Sequence, residues 1–177
     1  MVIAAAFRGD FTYDALLLLH IVCAIVGFGA VTLNAFYGAE ARKRPGPGGL
    51  AITEANYVVG GIGQYFIYAV FVFGFLLVLV GNEPAETFGS FWISASIVLY
   101  LVAVGISHGV MKPTVKKMIA LQQEMVAAGP PPADAPPGPP PQAAQMAPLG
   151  KKLATFGPIL NVMLLVILYL MVFKPGA

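Results

Sequence analysis

The two histidines of this chain are the side chains best suited to chemistry, and both fall inside long apolar runs. His20 follows Leu16-Leu17-Leu18-Leu19 and precedes Ile21-Val22-Cys23; His108 follows Val104-Gly105-Ile106-Ser107 and lies four residues ahead of Lys112. Imidazole titrates near neutral pH and, when neutral, ligates metal ions and haem iron through a ring nitrogen. An ionisable group within an apolar run is costly to keep there and marks a functional site by default. At about 100° per residue Tyr13, His20, Ala24, Gly27, Val31 and Asn34 share one stripe of a helix. Small and polar residues in such a stripe face other helices, because they let backbones approach. His20 is therefore expected to point into a helix bundle as a neutral imidazole with one free lone pair. Two readings follow: a ligand for haem b or a metal ion, or a proton relay; and a structural hydrogen bond to a side chain such as Tyr13 or Ser94.

His108 shares its stripe with Ser94, Ile97, Leu101, Val104 and Gly105. It reads as a cofactor ligand, as a contact for an acidic group such as a haem propionate, or as an interfacial histidine. One iron bound by both histidines is disfavoured. At 1.5 Å per residue their depths in a bilayer differ by roughly 19 Å, whereas the axial ligands of one haem must nearly match. Other groups offer less. Met163 and Met171 share a face and Cys23 is a third soft ligand, which suits copper; no Met-x-x-Met or Cys-x-x-Cys spacing accompanies them. Phosphate-binding glycine loops, His-Glu-x-x-His and Gly-x-Ser-x-Gly are absent. Gly60, Gly61 and Gly63 suit close helix crossing, Tyr57, Tyr65, Phe66 and Tyr68 an interfacial aromatic belt, and Asn161 an interhelical hydrogen bond.

The elements that carry these residues follow from composition. Of 177 residues 58% are hydrophobic and only 10% charged, and mean hydropathy is +0.82. A soluble domain has about 45–50% apolar and about 25% charged residues. A soluble enzyme, a disulfide scaffold and a disordered chain are excluded, and one cysteine forbids an internal disulfide. A net charge of +2 gives no footprint for nucleic acid. Four stretches reach the roughly 20 residues a bilayer demands: Tyr13 to Tyr37, Val58 to Val80, Phe91 to Met111 and Leu153 to Phe173. None shows the alternation of a membrane strand. The expected fold is an all-α membrane protein, a four-transmembrane-helix up-down bundle forming one domain over residues 1–177. The first stretch reads as a retained span, since Arg8 is followed by Asp10 and Asp14 and no cleavage pattern follows.

Arg42, Lys43, Arg44, Lys112, Lys116, Lys117, Lys151 and Lys152 are eight of the 10 basic residues, and all fall in the first and third connections. The positive-inside rule puts those connections in the cytoplasm and both termini outside. The third connection starts with a helical stretch, Thr114 to Ala127. Gly129 to Pro148 then holds nine prolines in twenty residues. It reads as an extended cytoplasmic linker.

The run Leu16 to Gly29 with His20 inside it, ending in Asn34 to Glu40, resembles a group of small bacterial inner-membrane bundles. That group includes copper-resistance-D-like proteins and the J type of protoporphyrinogen oxidase. Gly105-Ile106-Ser107-His108 leading to Lys112 is similar as well, and the resemblance covers about half the chain. The resemblance implies a multi-pass protein of the bacterial inner membrane with a haem or copper site near His20. The oxidase type carries a functional lysine inside its third span, whereas the first lysine here is Lys112, at the end of that span. The resemblance thus implies the bundle and its site rather than the oxidase activity. Two functions stand: a haem- or metal-binding protein handling electrons or cofactor, and a non-catalytic accessory or assembly subunit of a larger complex. The expected partners are the lipid bilayer and another membrane protein or a second copy of the chain.

Overall fold

A computed structural model describes residues 10–81, 86–129 and 141–176. Helix α1 (Phe11–Lys43) begins where the Asp10 carboxylate accepts a hydrogen bond from the Thr12 amide at 2.8 Å. It ends with Arg42 and Lys43 in its last turn, where cations complement the helix dipole. The chain reverses within three residues. Gly46 takes a φ of 73°, which a side chain rarely tolerates, and a Cβ on Gly49 would collide with the Arg44 carbonyl. Helix α2 (Pro47–Val80) then runs back with proline in its first turn, where the missing N–H costs nothing.

Helix α3 (Phe91–Ile106) passes through a π turn (Ser107–Met111) directly into α4 (Lys112–Ala128). The sequence suggested a span ending near Met111 and a separate helix after Pro113. The structure joins them into one 38-residue helix. Proline lacks an amide hydrogen and its ring crowds the carbonyl four residues back. The wider turn, in which the Lys112 amide bonds the Ser107 carbonyl, accommodates it. Helix α5 (Pro141–Phe173) completes the bundle and carries Pro148 and Pro158 inside it. This corrects the linker reading of 129–148: residues 141–148 are helical, and 130–140 lie outside the described residues.

Four candidate membrane helices of 32 to 38 residues result, and the all-α four-helix architecture is that expected. At 1.5 Å per residue they run roughly 50 Å, against a hydrocarbon core of about 30 Å. Hydropathy marks only the portion that crosses lipid. The helices continue because residues such as Arg42, Lys43, Gln122 and Gln123 favour helix as much as apolar ones do. The surplus gathers at one end, the basic end, where Gln123 of α4 donates to Glu54 of α2 at 2.7 Å and Leu121 and Leu149 are buried.

The four helices form two hairpins. In the first, α1 and α2 pack backbone against backbone through small residues. A Cβ on Gly27 would lie 2.9 Å from Ile67 Cδ1, one on Gly63 would overlap the Ala30 Cβ, and Gly60 lies against Asn34. In the second, α5 packs on α3 and α4. Between hairpins, no Cα of α2 comes within 8 Å of one in α3, so side chains bridge the gap. Phe71 stacks on Tyr100 with centroids 4.9 Å apart, and Phe75 meets Phe88 at 5.1 Å. Large apolar side chains face outward along every span, Ile25 at 68% and Leu165 at 62% exposure among them. That surface is stable only in lipid.

Candidate functional site

His20 lies on the α1 stripe that faces α2, as its neighbours Tyr13, Cys23 and Gly27, all buried, require. Its ring rests where α2 has no side chain: a Cβ on Gly74 would stand 2.9 Å from the imidazole Cε1. Its Nδ1 lies 2.9 Å from the Val70 carbonyl oxygen. A carbonyl only accepts, so Nδ1 carries the hydrogen and Nε2 holds the lone pair. Nε2 has no hydrogen-bond partner among the described residues. The side-chain partners anticipated for His20 are engaged elsewhere. Tyr13 donates to Glu86 at 2.9 Å, and the Ser94 hydroxyl donates to the Phe88 carbonyl at 2.6 Å.

His108 sits in the π turn with both ring nitrogens engaged. Nδ1 lies 3.0 Å from the Val104 carbonyl, and Nε2 lies 2.6 Å from the Tyr68 hydroxyl and 3.2 Å from Lys112 Nζ. The ring is also stacked on Tyr68, with centroids 6.0 Å apart. Beside it the Ser107 hydroxyl donates to Gln64 at 3.1 Å. The structure does not bring the two histidines together. His20 lies at the level of Val70 and Gly74 on α2, and His108 at the level of Gln64 and Tyr68. Six residues of α2 separate those levels, about 9 Å. The offset along α2 is smaller than the depths in the sequence suggested, and it is the long Tyr68 side chain that reaches across to His108.

The soft-ligand grouping is not assembled either. Met171 packs with Trp92, Ile93 and Leu170 at the end of α5, whereas Cys23 lies ten residues into α1 from Tyr13, about 15 Å deeper. Among the described residues no three His, Cys, Asp or Glu side chains converge as a metal centre would require. Asn161 corrects another expectation: its amide donates to Gly157 of its own helix at 3.1 Å, and among the described residues it makes no bond between helices.

One cluster had no signal in the sequence. At the end opposite the basic one, Glu86 is buried between helices. It accepts from Tyr13 of α1 and from Lys174 Nζ at 2.5 Å, and that ammonium lies 5.1 Å from the centre of the Trp92 ring. Glu86 and Lys174 look like ordinary interfacial charges in sequence. Only the packing of the helix ends brings them together.

Comparison with known proteins supplies a family and nothing beyond it. No curated protein and no solved structure matches. The copper-resistance-D-like and protoporphyrinogen oxidase resemblance of Leu16 to Glu40 gains no support from the family that does match. Residues 14–175 match the model of a family described as predicted integral membrane protein (DUF2269), and on that coverage this four-helix chain belongs to the DUF2269 family.

Proposed function

We propose that this protein binds haem b within the membrane, with His20 as an axial ligand through Nε2. The observation that carries this reading is the set of the imidazole: Nδ1–H held on the Val70 carbonyl and the Nε2 lone pair unpartnered. Ligating histidines are oriented in this way, because the bond at one nitrogen fixes the tautomer that frees the other. Gly74 leaves the space for the ring, and the Val70 carbonyl keeps its hydrogen on the correct side. Haem is preferred over a bare metal ion on ligand arithmetic. A protein-held ion needs three or four donors. An iron already in a porphyrin needs only axial ones, and His20 is a single donor.

A haem held there would supply one-electron chemistry, which suits electron or cofactor handling. His108 is the poorer ligand, with Nε2 occupied by Tyr68 and Lys112 and its level displaced along α2. Any further ligand would come from a second copy, another membrane protein or an exchangeable molecule. The test is an absorption spectrum of protein purified in mild detergent. A Soret band is expected, lost in His20→Ala and kept in His108→Ala. A wild-type protein with no Soret band after expression with haem supplied overturns the proposal.

A second reading, the accessory subunit, is favoured by the open groove between α3 and α5. It measures about 510 Å³ and is walled by Phe91, Ala95, Val98, Val166 and Leu170. In lipid a partner helix would seat there. Co-purification of a stoichiometric partner from crosslinked membranes, lost on Val98→Trp, distinguishes it.

A further inference from the structure

The Tyr68–His108–Lys112 cluster stands at the head of a second groove, away from His20. This groove, about 340 Å³, opens to the lipid face of α2 near the basic end. Val58 and Ile62 form its apolar wall, Tyr65 and Tyr68 its aromatic one, and Lys112 closes it. Lys112 lies 21 residues from Phe91, where α3 begins. That is roughly 32 Å along the helix axis, about one hydrocarbon thickness. Lys112 therefore stands at headgroup level, as does Val58, 22 residues from the far end of α2, and the groove runs from there past Ile62 to Tyr65 and Tyr68 in the acyl layer.

The cation is unbalanced. Among the described residues no carboxylate lies within salt-bridge distance of Lys112, whereas Lys43, Arg44 and Lys174 each have one. At most one of its three N–H donors is directed at His108 Nε2, 3.2 Å away, where it shares a single lone pair with the Tyr68 hydroxyl at 2.6 Å. The other two remain for a ligand. The π turn places this cluster, since it carries His108 and hands the helix on to Lys112, and such turns recur at functional sites. Lys116 and Lys117 follow within about one further turn, both exposed. A cation with no carboxylate partner, at the headgroup-level mouth of an apolar, aromatic-walled groove, is complementary to an amphiphile with an anionic head.

We propose that this groove is a binding site for one anionic phospholipid, its phosphate held by Lys112 beside Val58 and its acyl chain laid against Ile62, Tyr65 and Tyr68. The site is separate from His20, so it stands whether or not the protein binds haem.

The test is native mass spectrometry of the full chain in mild detergent, with phosphatidylglycerol and phosphatidylcholine of identical acyl chains supplied in equal amount. Wild type is expected to retain one phosphatidylglycerol in preference to phosphatidylcholine. Lys112→Gln should cut that preference about fivefold, the effect of one lysine near a charged lipid surface. Lys151→Gln, away from the groove, should leave it unchanged. A second variant keeps the charge and removes the space. A Cβ on Gly61 meets nothing within 4 Å, so Gly61→Leu fills the groove without disturbing a packed helix. It should lose the bound lipid while keeping its helical circular dichroism. Equal retention of the two lipids by wild type, or an undiminished phosphatidylglycerol adduct in Gly61→Leu, overturns the proposal. Displacement of the lipid by glycerol 3-phosphate at equal concentration overturns it too, and assigns the cluster to a free anion.

Discussion

At the scale of single residues the molecule separates two histidines that look alike in sequence. His20 gives Nδ1–H to a backbone carbonyl and keeps Nε2 open, whereas His108 is closed by Val104 on one side and by Tyr68 with Lys112 on the other. The difference rests on Gly74, whose missing side chain is the space the His20 ring occupies. Gly74→Ala should therefore push the ring off Val70. The clash, about 1–3 kcal/mol, outweighs the gain in helix propensity of up to about 1 kcal/mol. Unfolding in detergent should show a net loss, and His20→Ala in the same background should recover it. A variant as stable as wild type would mean that the ring moves freely. That His20 faces a neighbour was legible in its stripe. Its partner was not, because a main-chain acceptor 50 residues away leaves no mark on residue types.

At the scale of helices, α1 and α2 meet over small residues, and the three glycines at 60, 61 and 63 do not share the task. Gly63 lies against Ala30 and Gly60 against Asn34, while Gly61 faces open space. A cluster of glycines signals close crossing, but the rotation of the helix decides which of them touch. Gly63→Ala should cost about 1–3 kcal/mol by forcing the hairpin apart, whereas Gly61→Ala should be neutral or stabilise by up to about 1 kcal/mol. Denaturant titration of both in one detergent separates them, and an equal cost at the two positions would contradict the packing. The other element-level lesson concerns proline. Pro113 and Pro148 read as boundaries, yet both lie in continuous helix. A π turn absorbs the first.

At the scale of the whole molecule, the end opposite the basic one is tied by Glu86, reached by Tyr13 from 73 residues earlier and by Lys174 from 88 residues later. Both charges are mostly buried, at 29% and 9% side-chain exposure for Lys174 and Glu86. Removing one partner of such a pair costs about 3 kcal/mol. Lys174→Met should destabilise by that order in thermal unfolding, and adding Glu86→Gln should restore part of it. Additive losses would show that the two charges do not interact. The basic end bears on orientation. With eight of the chain's 10 basic residues in the first and third connections, reporter fusions at Gly48 and Pro137 should read cytoplasmic and one at Pro84 external. A cytoplasmic signal at Pro84 would invert the topology.

Composition and hydropathy by themselves determined a membrane protein, all-α, with four crossings. Those properties depend on the free energy of moving each residue into lipid and on periodicity within one helix, which are local. The stripe that turns His20 inward is local in the same sense. Only the tertiary structure decided that Val70 receives the His20 hydrogen, that His108 is closed by Tyr68, that Lys112 heads a groove, and that Glu86 binds Lys174. Each of these joins groups 40 to 88 residues apart or, for Lys112, a groove wall contributed by another helix. Such pairings depend on which helix faces which and at what rotation. In lipid that choice is made by close packing and a few hydrogen bonds, because the apolar surface that commits each helix to the membrane is nearly indifferent to its neighbours.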